Sequence, residues 1–207
     1  MIYQFVVPGT FLVLLKVVSS TQSDSKCTRN SWKRLSINVK VKLKFAVRKC
    51  RVNLQIDAYL PSDYISDERQ KIEIYKRIRE IENQKDYQDL QDELIDRFGE
   101  YPDQVAYLIE IGLVKAYLDA AFAELVERKN DTIIVRFEKA SLKFFLTQDY
   151  FEAISKTHLK AKISDNQGKV EITFDVRNKK DYEILEELKI FGQTFMEIKE
   201  RKEKKEA

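Results

Sequence analysis

The chain has 207 residues, 43% hydrophobic and 34% charged, with five glycines and three prolines. That is the make-up of one ordinary soluble domain, or a domain with an extension, built from long regular elements. Its net charge of +3 conceals a division: residues 1–51 carry 11 Lys and Arg against the single acid Asp24, whereas residues 52–207 carry 26 bases against 33 acids, a net of −7. Nucleic-acid binding through phosphates needs a cationic face that releases counterions, so the acidic body is not primarily a DNA-binding surface.

At the start, Phe11 to Leu15 and Val17-Val18 form an apolar run broken by Lys16. It is short of the roughly 20 residues a membrane span needs. The start lacks a basic n-region, and Ser19-Ser20 makes a weak signal cleavage site. Ser19 to Arg51 is rich in Ser, Lys and Arg. Within it Val39, Val41, Leu43 and Phe45 alternate with Asn38, Lys40, Lys42 and Lys44, which predicts a half-buried strand. Cys27 and Cys50 match neither a zinc spacing nor a disulfide framework and read as free thiols in a reducing cytoplasm.

Val52, Leu54 and Ile56 alternate with Asn53, Gln55 and Asp57, giving a short strand or extended lead-in that Pro61 and Ser62-Asp63 break. Ser66 or Asp67 can cap a first helix, and Asp67 with Gln70 has capping-box spacing. Ile74, Ile78 and Ile81 line one face of it to about Asn83, with Tyr75 at the edge. Lys71, Lys76, Arg77 and Arg79 mix with Glu68, Glu73, Glu80 and Glu82 on an exposed, ion-paired surface. A second helix is capped by Asp86 and places Tyr87, Leu90, Leu94 and Phe98 on one face. Glu93, Asp96 and Arg97, at i, i+3 and i+4, share roughly the opposite face. Gly99 suits the helix end and Pro102 the first turn of a third helix, which runs to about Phe122. Val105, Leu108, Ile109, Leu113, Ala116, Tyr117 and Ala120 leave little of that helix polar, so it is the expected internal axis.

Beyond it the periodicity changes. Leu125-Val126 and Thr132 to Phe137 flank a hairpin turn at Lys129-Asn130-Asp131. Leu142 to Leu146 is ambiguous between strand and helix start, and Thr147 can cap a short helix carrying Phe151 and Ile154. Leu159 to Ser164 and Lys169 to Val176 form a second strand pair around Asp165 to Gly168. Asn178 or Asp181 opens a last helix with Tyr182, Leu185 and Leu188. Gly192 interrupts its pattern, so Phe195 and Ile198 read as a separate final turn. The fold class expected is α+β: a helical half of about three helices, then a small antiparallel sheet with flanking helices.

Chemistry-bearing patterns are absent. The sequence holds no G-x-x-x-x-G-K-[ST] and no close glycine pair to cradle phosphates, no H-E-x-x-H and no Cys/His metal set. No cofactor is implied. The single histidine, His158, falls at the end of a short predicted helix and reads as structural or as a helix-end cation. The carboxylate pairs Asp92/Asp96 and Glu93/Asp96 sit on one helix, where they cannot face each other across a cleft as glycoside chemistry needs. Seven tyrosines between Tyr59 and Tyr117 read as core packing with hydroxyls at the edge, any exposed ones being able to anchor a partner.

Glu93-Leu94-Ile95-Asp96-Arg97-Phe98-Gly99-x-x-Pro102, preceded by Asp57-Ala58-Tyr59-Leu60-Pro61, Tyr64-Ile65 and the stretch Arg69 to Arg77, resembles the C-terminal domain of the bacterial transcription-repair coupling factors (Mfd). The resemblance runs from about Val52 to the end. It is specific in the first half of that span, and after about Ala123 only the pattern of elements supports it. It implies a domain at 52–207, helical over 52–122 and strand-and-helix over 123–207. It stops, as the charge reverses, near Arg51, so residues 1–51 read as a separate basic segment, either a real tail or an out-of-frame extension, with no assigned function.

In that family an ATP-driven motor moves along DNA, displaces stalled RNA polymerase and recruits nucleotide excision repair through UvrA. The resemblance implies that the terminal domain docks on the UvrB-like N-terminal module of the same protein and masks its UvrA-binding surface, with Glu93, Asp96 and Arg97 as partner-binding residues. The chain itself would then be no enzyme, with UvrA and RNA polymerase as indirect partners, no direct nucleic acid or membrane contact, and a cytoplasmic location. The other class is an unrelated nucleic-acid-binding module or enzyme with a similar helix pair, which would show a basic face or a cleft with strongly shifted titratable groups.

Overall fold

A computed structural model describes residues 50–206. The strand expected over 38–45 and the other readings for residues 1–49 lie outside the described residues. A short strand, β1 (Arg51–Asn53), leads through an irregular stretch into three helices, α1 (Glu68–Glu80), α2 (Gln84–Phe98) and α3 (Asp103–Ala120). The hairpin β2 (Ala123–Lys129) and β3 (Thr132–Phe137) follows, then a 3-10 turn (Lys139–Lys143) and α4 (Thr147–Ser155). A second hairpin, β4 (Lys160–Asn166) and β5 (Lys169–Asp175), precedes the long α5 (Asp181–Glu206). The expected α+β class holds.

Local chemistry explains the helix ends. The Asp67 carboxylate accepts the Arg69 N–H at 2.7 Å and starts α1. Asn83, not Asp86, is the N-cap of α2: its side-chain oxygen accepts the N–H groups of Lys85 and Asp86. Asp86 sits three residues on and reciprocates by accepting the Glu82 N–H and the Asn83 amide. A carboxylate inside the first turn still favours the positive helix end, so Asp86 helps start the helix from within it. Gly99 ends α2 at φ +80°, a left-handed conformation that costs glycine nothing, and donates its N–H to the Ile95 carbonyl. Thr147 is likewise the first helical residue of α4 and not its cap. Leu146 holds the cap position, and Asp149 accepts the Leu146 N–H at 2.7 Å. Lys71, expected on the exposed face of α1, is buried, its ammonium bonded to Ser62 and Glu68.

The sheet order is β1-β2-β3-β5-β4. The pairs β2–β3, β3–β5 and β5–β4 are antiparallel as expected, but β1 runs parallel to β2, with Val52 opposite Val126. The sheet is therefore mixed. A parallel neighbour needs a long crossover, and the three helices between β1 and β2 supply it. Ile133, Val135 and Phe137 of β3 and Ile172 and Phe174 of β5 point to the same face and meet buried residues of α3, α4 and α5.

Two buried clusters share α3. One joins the sheet to Val114 and Leu118 of α3 and to Ile184, Leu188, Phe191 and Phe195 of α5. The other packs Ile74 and Ile78 of α1 and Leu90 and Leu94 of α2 on Val105, Ile109 and Leu113 of α3. The helix apolar around its girth is thus the internal axis that its sequence predicts.

The break expected at Gly192 does not occur, and α5 is continuous through it. A Cβ at this position would stand 2.7 Å from the Tyr117 Cβ, so the glycine lets α5 approach α3 more closely than any side chain allows. Gly192→Ala gains about 1 kcal/mol of helix propensity but must push two helices apart. A net loss of roughly 1–2 kcal/mol is expected. An equilibrium urea titration showing unchanged or raised stability would contradict the close-approach account.

A candidate docking face on the second helix

The buried stripe of α2 (Tyr87, Leu90, Leu94) turns the opposite side of the helix outward. Asp89, Asp92 and Asp96 are exposed along it, and among the described residues none of them has an ion-pair partner. Ile95 borders this stripe and is 46% exposed. Of the three residues singled out by sequence, Asp96 stands on this stripe, while Glu93 and Arg97 flank it on the side that meets α1.

Glu93 is engaged twice. Its Oε1 accepts Arg97 Nη1 at 2.8 Å within the helix, and its Oε2 accepts Arg77 Nη1 of α1, also at 2.8 Å. Its side chain is only 22% exposed. The Arg97 guanidinium also lies 5.0 Å over the Phe98 ring, and its Nη2 is 3.9 Å from Glu73 of α1. Asp96 projects beside this network without joining it.

The helix end carrying these groups is held from below. The Tyr64 hydroxyl lies 3.1 Å from both the Leu94 and Gly99 carbonyls, and the Tyr64 ring packs at 5.8 Å on Phe98. On the far side, Gln91 donates to the hydroxyls of Tyr87 and Tyr101, and the Tyr117 hydroxyl donates to Gln84. Burial and the nearby Glu110 carboxylate push the Tyr87 phenol up to about 12. These tyrosines tie helices together through hydroxyls at the core edge, as their sequence context predicts, while Tyr59 stays exposed. Arg77 and Glu73 are the members that sequence reading missed. They lie in the mixed-charge face of α1, but nothing in their spacing indicates which carboxylate or arginine of another helix they meet.

Other groups offer less. The His158 side chain is exposed, and its Nδ1 lies 3.2 Å from Glu187, which also accepts the His158 N–H. This is the structural role expected of it. The Cys50 thiol is buried, and burial together with the Asp119 carboxylate pushes it up to about 12, far from thiolate reactivity. Among the described residues no group of His, Cys, Asp and Glu could hold a metal ion. A shallow depression across one end of β3, β5 and β4 is lined by polar residues that include Asp131, Lys160, Lys162, Thr173, Asp175 and Arg177. The Asp175 carboxylate there is held at about 2 by its bonds to Arg177. No described helix is long and apolar enough to cross a membrane.

Comparison with known proteins identifies the domain. The family model of the TRCF domain matches residues 54–147, which include all five residues of the network and Asp96. The transcription-repair-coupling factor of Bacillus subtilis is 40% identical over 82 residues, covering 40% of this chain. That of Staphylococcus aureus (strain USA300) is 33% identical over 132 residues, or 64% of this chain. The chain spans only 7% and 11% of the length of these two relatives. A crystal structure of the C-terminal domain of a transcription-repair coupling factor superposes with a TM-score of 0.73 at 62% identity, over 74% of this chain and 96% of that one. The chain therefore belongs to the TRCF-domain family, the C-terminal domain of transcription-repair coupling factors.

Proposed function

We propose that the chain is a regulatory interaction domain. It docks through the outer face of α2 on the UvrB-like N-terminal module of a coupling factor and masks the surface by which that module binds UvrA. The observation that carries this reading is an exposed carboxylate, Asp96, without an ion-pair partner among the described residues, next in sequence to an arginine held in one orientation. A preorganised arginine and an adjacent acid recognise a partner of opposite pattern in a fixed register, and at a solvent-facing site such contacts remain weak enough to open. The parent protein is then an ATP-dependent DNA translocase acting on stalled RNA polymerase in the cytoplasm, and this domain restrains its recruitment of excision repair.

The test is a titration of the chain against the isolated UvrB-like module, repeated with UvrA as competitor. Saturable binding that UvrA displaces supports masking. Simultaneous binding of both partners contradicts it.

An enzyme or nucleic-acid module remains the competing class. It has less support, because the body is acidic, its described cysteine is buried with a raised thiol pKa, and in the shallow depression Asp175 is bonded to Arg177. The chain is expected to hydrolyse ATP no faster than a mock preparation, with or without DNA. DNA-stimulated turnover above that background would overturn the assignment.

A further inference from the structure

Resting on the docking reading, we infer that Arg77 is a positioning residue: by occupying Oε2 of Glu93 it keeps Arg97 from closing both of its donors onto that carboxylate, and so leaves an Arg97 edge open for the partner. A carboxylate and a guanidinium four residues apart on a helix readily form a two-bond fork. Here only one arm forms. Arg97 Nη1 takes Oε1 of Glu93 at 2.8 Å, while the other oxygen is taken by Arg77 at the same distance. The second arm of Arg97, Nη2, is left 3.9 Å from Glu73, beyond hydrogen-bond length. Phe98 lies against one face of the guanidinium at 5.0 Å and limits its tilt.

Glu93 is then a hinge post shared by two arginines from two helices. Its two oxygens are spent within the domain, and the groups left for a partner are Asp96 and the Nη2 edge of Arg97. The surface so presented is one acceptor and one donor on successive residues of α2. It fits a partner offering a cation opposite Asp96 and a carboxylate or carbonyl opposite Arg97. With Arg77 gone, Oε2 of Glu93 is left unclaimed on a carboxylate that Arg97 already holds by its other oxygen, and Arg97 Nη2 turns inward to it.

The experiment measures docking of the full 207-residue chain on the isolated UvrB-like module for Arg77→Met, Arg97→Ala, the double variant, Arg77→Lys and Asp96→Ala, each with a thermal melt. Arg77→Met is expected to weaken docking about fivefold to tenfold, with less than about a twofold further loss in the Arg97→Ala background. Lysine still places one point charge on Oε2, so Arg77→Lys should restore affinity to within about twofold. Arg77 is 44% exposed, and its loss should barely move the melt. A merely structural arginine would instead lower the melting temperature, or weaken docking additively with Arg97→Ala. Additivity, or undiminished docking of Arg77→Met while Asp96→Ala and Arg97→Ala both weaken it, overturns the positioning role and leaves the docking reading standing. Absence of docking by the unaltered chain, or indifference to Asp96→Ala and Arg97→Ala, removes both.

Discussion

Replacing Phe195 by alanine is expected to destabilise the domain by about 3–5 kcal/mol, the usual range for emptying a buried aromatic site. Phe195 is 1% exposed and is the hub of the sheet-side core. Its ring lies 5.0 to 5.5 Å from those of Phe145, Phe191, Phe137 and Tyr150, mostly edge to face, the arrangement that ring quadrupoles favour. Those rings come from β3, the loop after the 3-10 turn, α4 and α5. The cavity therefore opens where four segments meet, and no single side chain can swing in to fill it. For a domain of this size such a loss lowers the melting temperature by roughly 10 °C or more. Phe151 on α4 provides the contrast: it is 58% exposed, and its alanine variant should change stability by about half a kcal/mol or less. Calorimetry giving similar melts for the two variants would mean that the ring cluster is not the core of this half.

The same residue shows what was and was not legible in the sequence. Where periodicity and burial agree, the elements can be read directly. The first three helices, both hairpins and the central place of α3 follow from apolar spacing and from the turn residues Asn130 and Gly168. The continuity of α5 through Gly192 could not be read that way. Local propensity disfavours a glycine inside a helix, and the contact that offsets it is made by Tyr117, far away in the chain. Phe195 therefore looked like part of a separate turn, although it is the continuation of the buried stripe of one long helix. The parallel β1 was hidden for a similar reason. Three residues carry no sign of which strand they will join, and their partner lies beyond the whole helical half.

The docking face divides along the same line. Helical spacing is a one-dimensional fact, and it put Glu93, Asp96 and Arg97 on one side of α2. Whether a carboxylate on that side is free or bound depends on the neighbouring helix. Arg77 approaches from α1 and takes Glu93, whereas among the described residues no ion-pair partner reaches Asp96. Mixed charges along α1 announced an ion-paired surface without naming the pairs.

Alanine at Glu93, Asp96 and Arg97 together is expected to leave the domain folded and to weaken docking on the UvrB-like module by about 2–3 kcal/mol, roughly 30- to 150-fold in affinity. The folding part follows from exposure: the lost ion pairs are at the surface, where each is worth about 0–1 kcal/mol, and Arg77 can turn to water. The docking part sits at the lower end of what desolvated charge contacts cost, because Asp96 and the outer edge of Arg97 lie at a solvent-facing surface, where charge contacts cost less to lose than in a dry interface centre, and Glu93 acts mainly by holding Arg97. In an intact coupling factor closed and open states compete for one surface, so weakening the closed state raises the fraction of module free to bind UvrA by the same factor, until the open form predominates. A thermal melt beside the docking titration separates the outcomes. A folded triple variant with undiminished affinity would sink the interface, whereas an unfolded one would mean that Glu93 and Arg97 serve chiefly to bind α2 to α1.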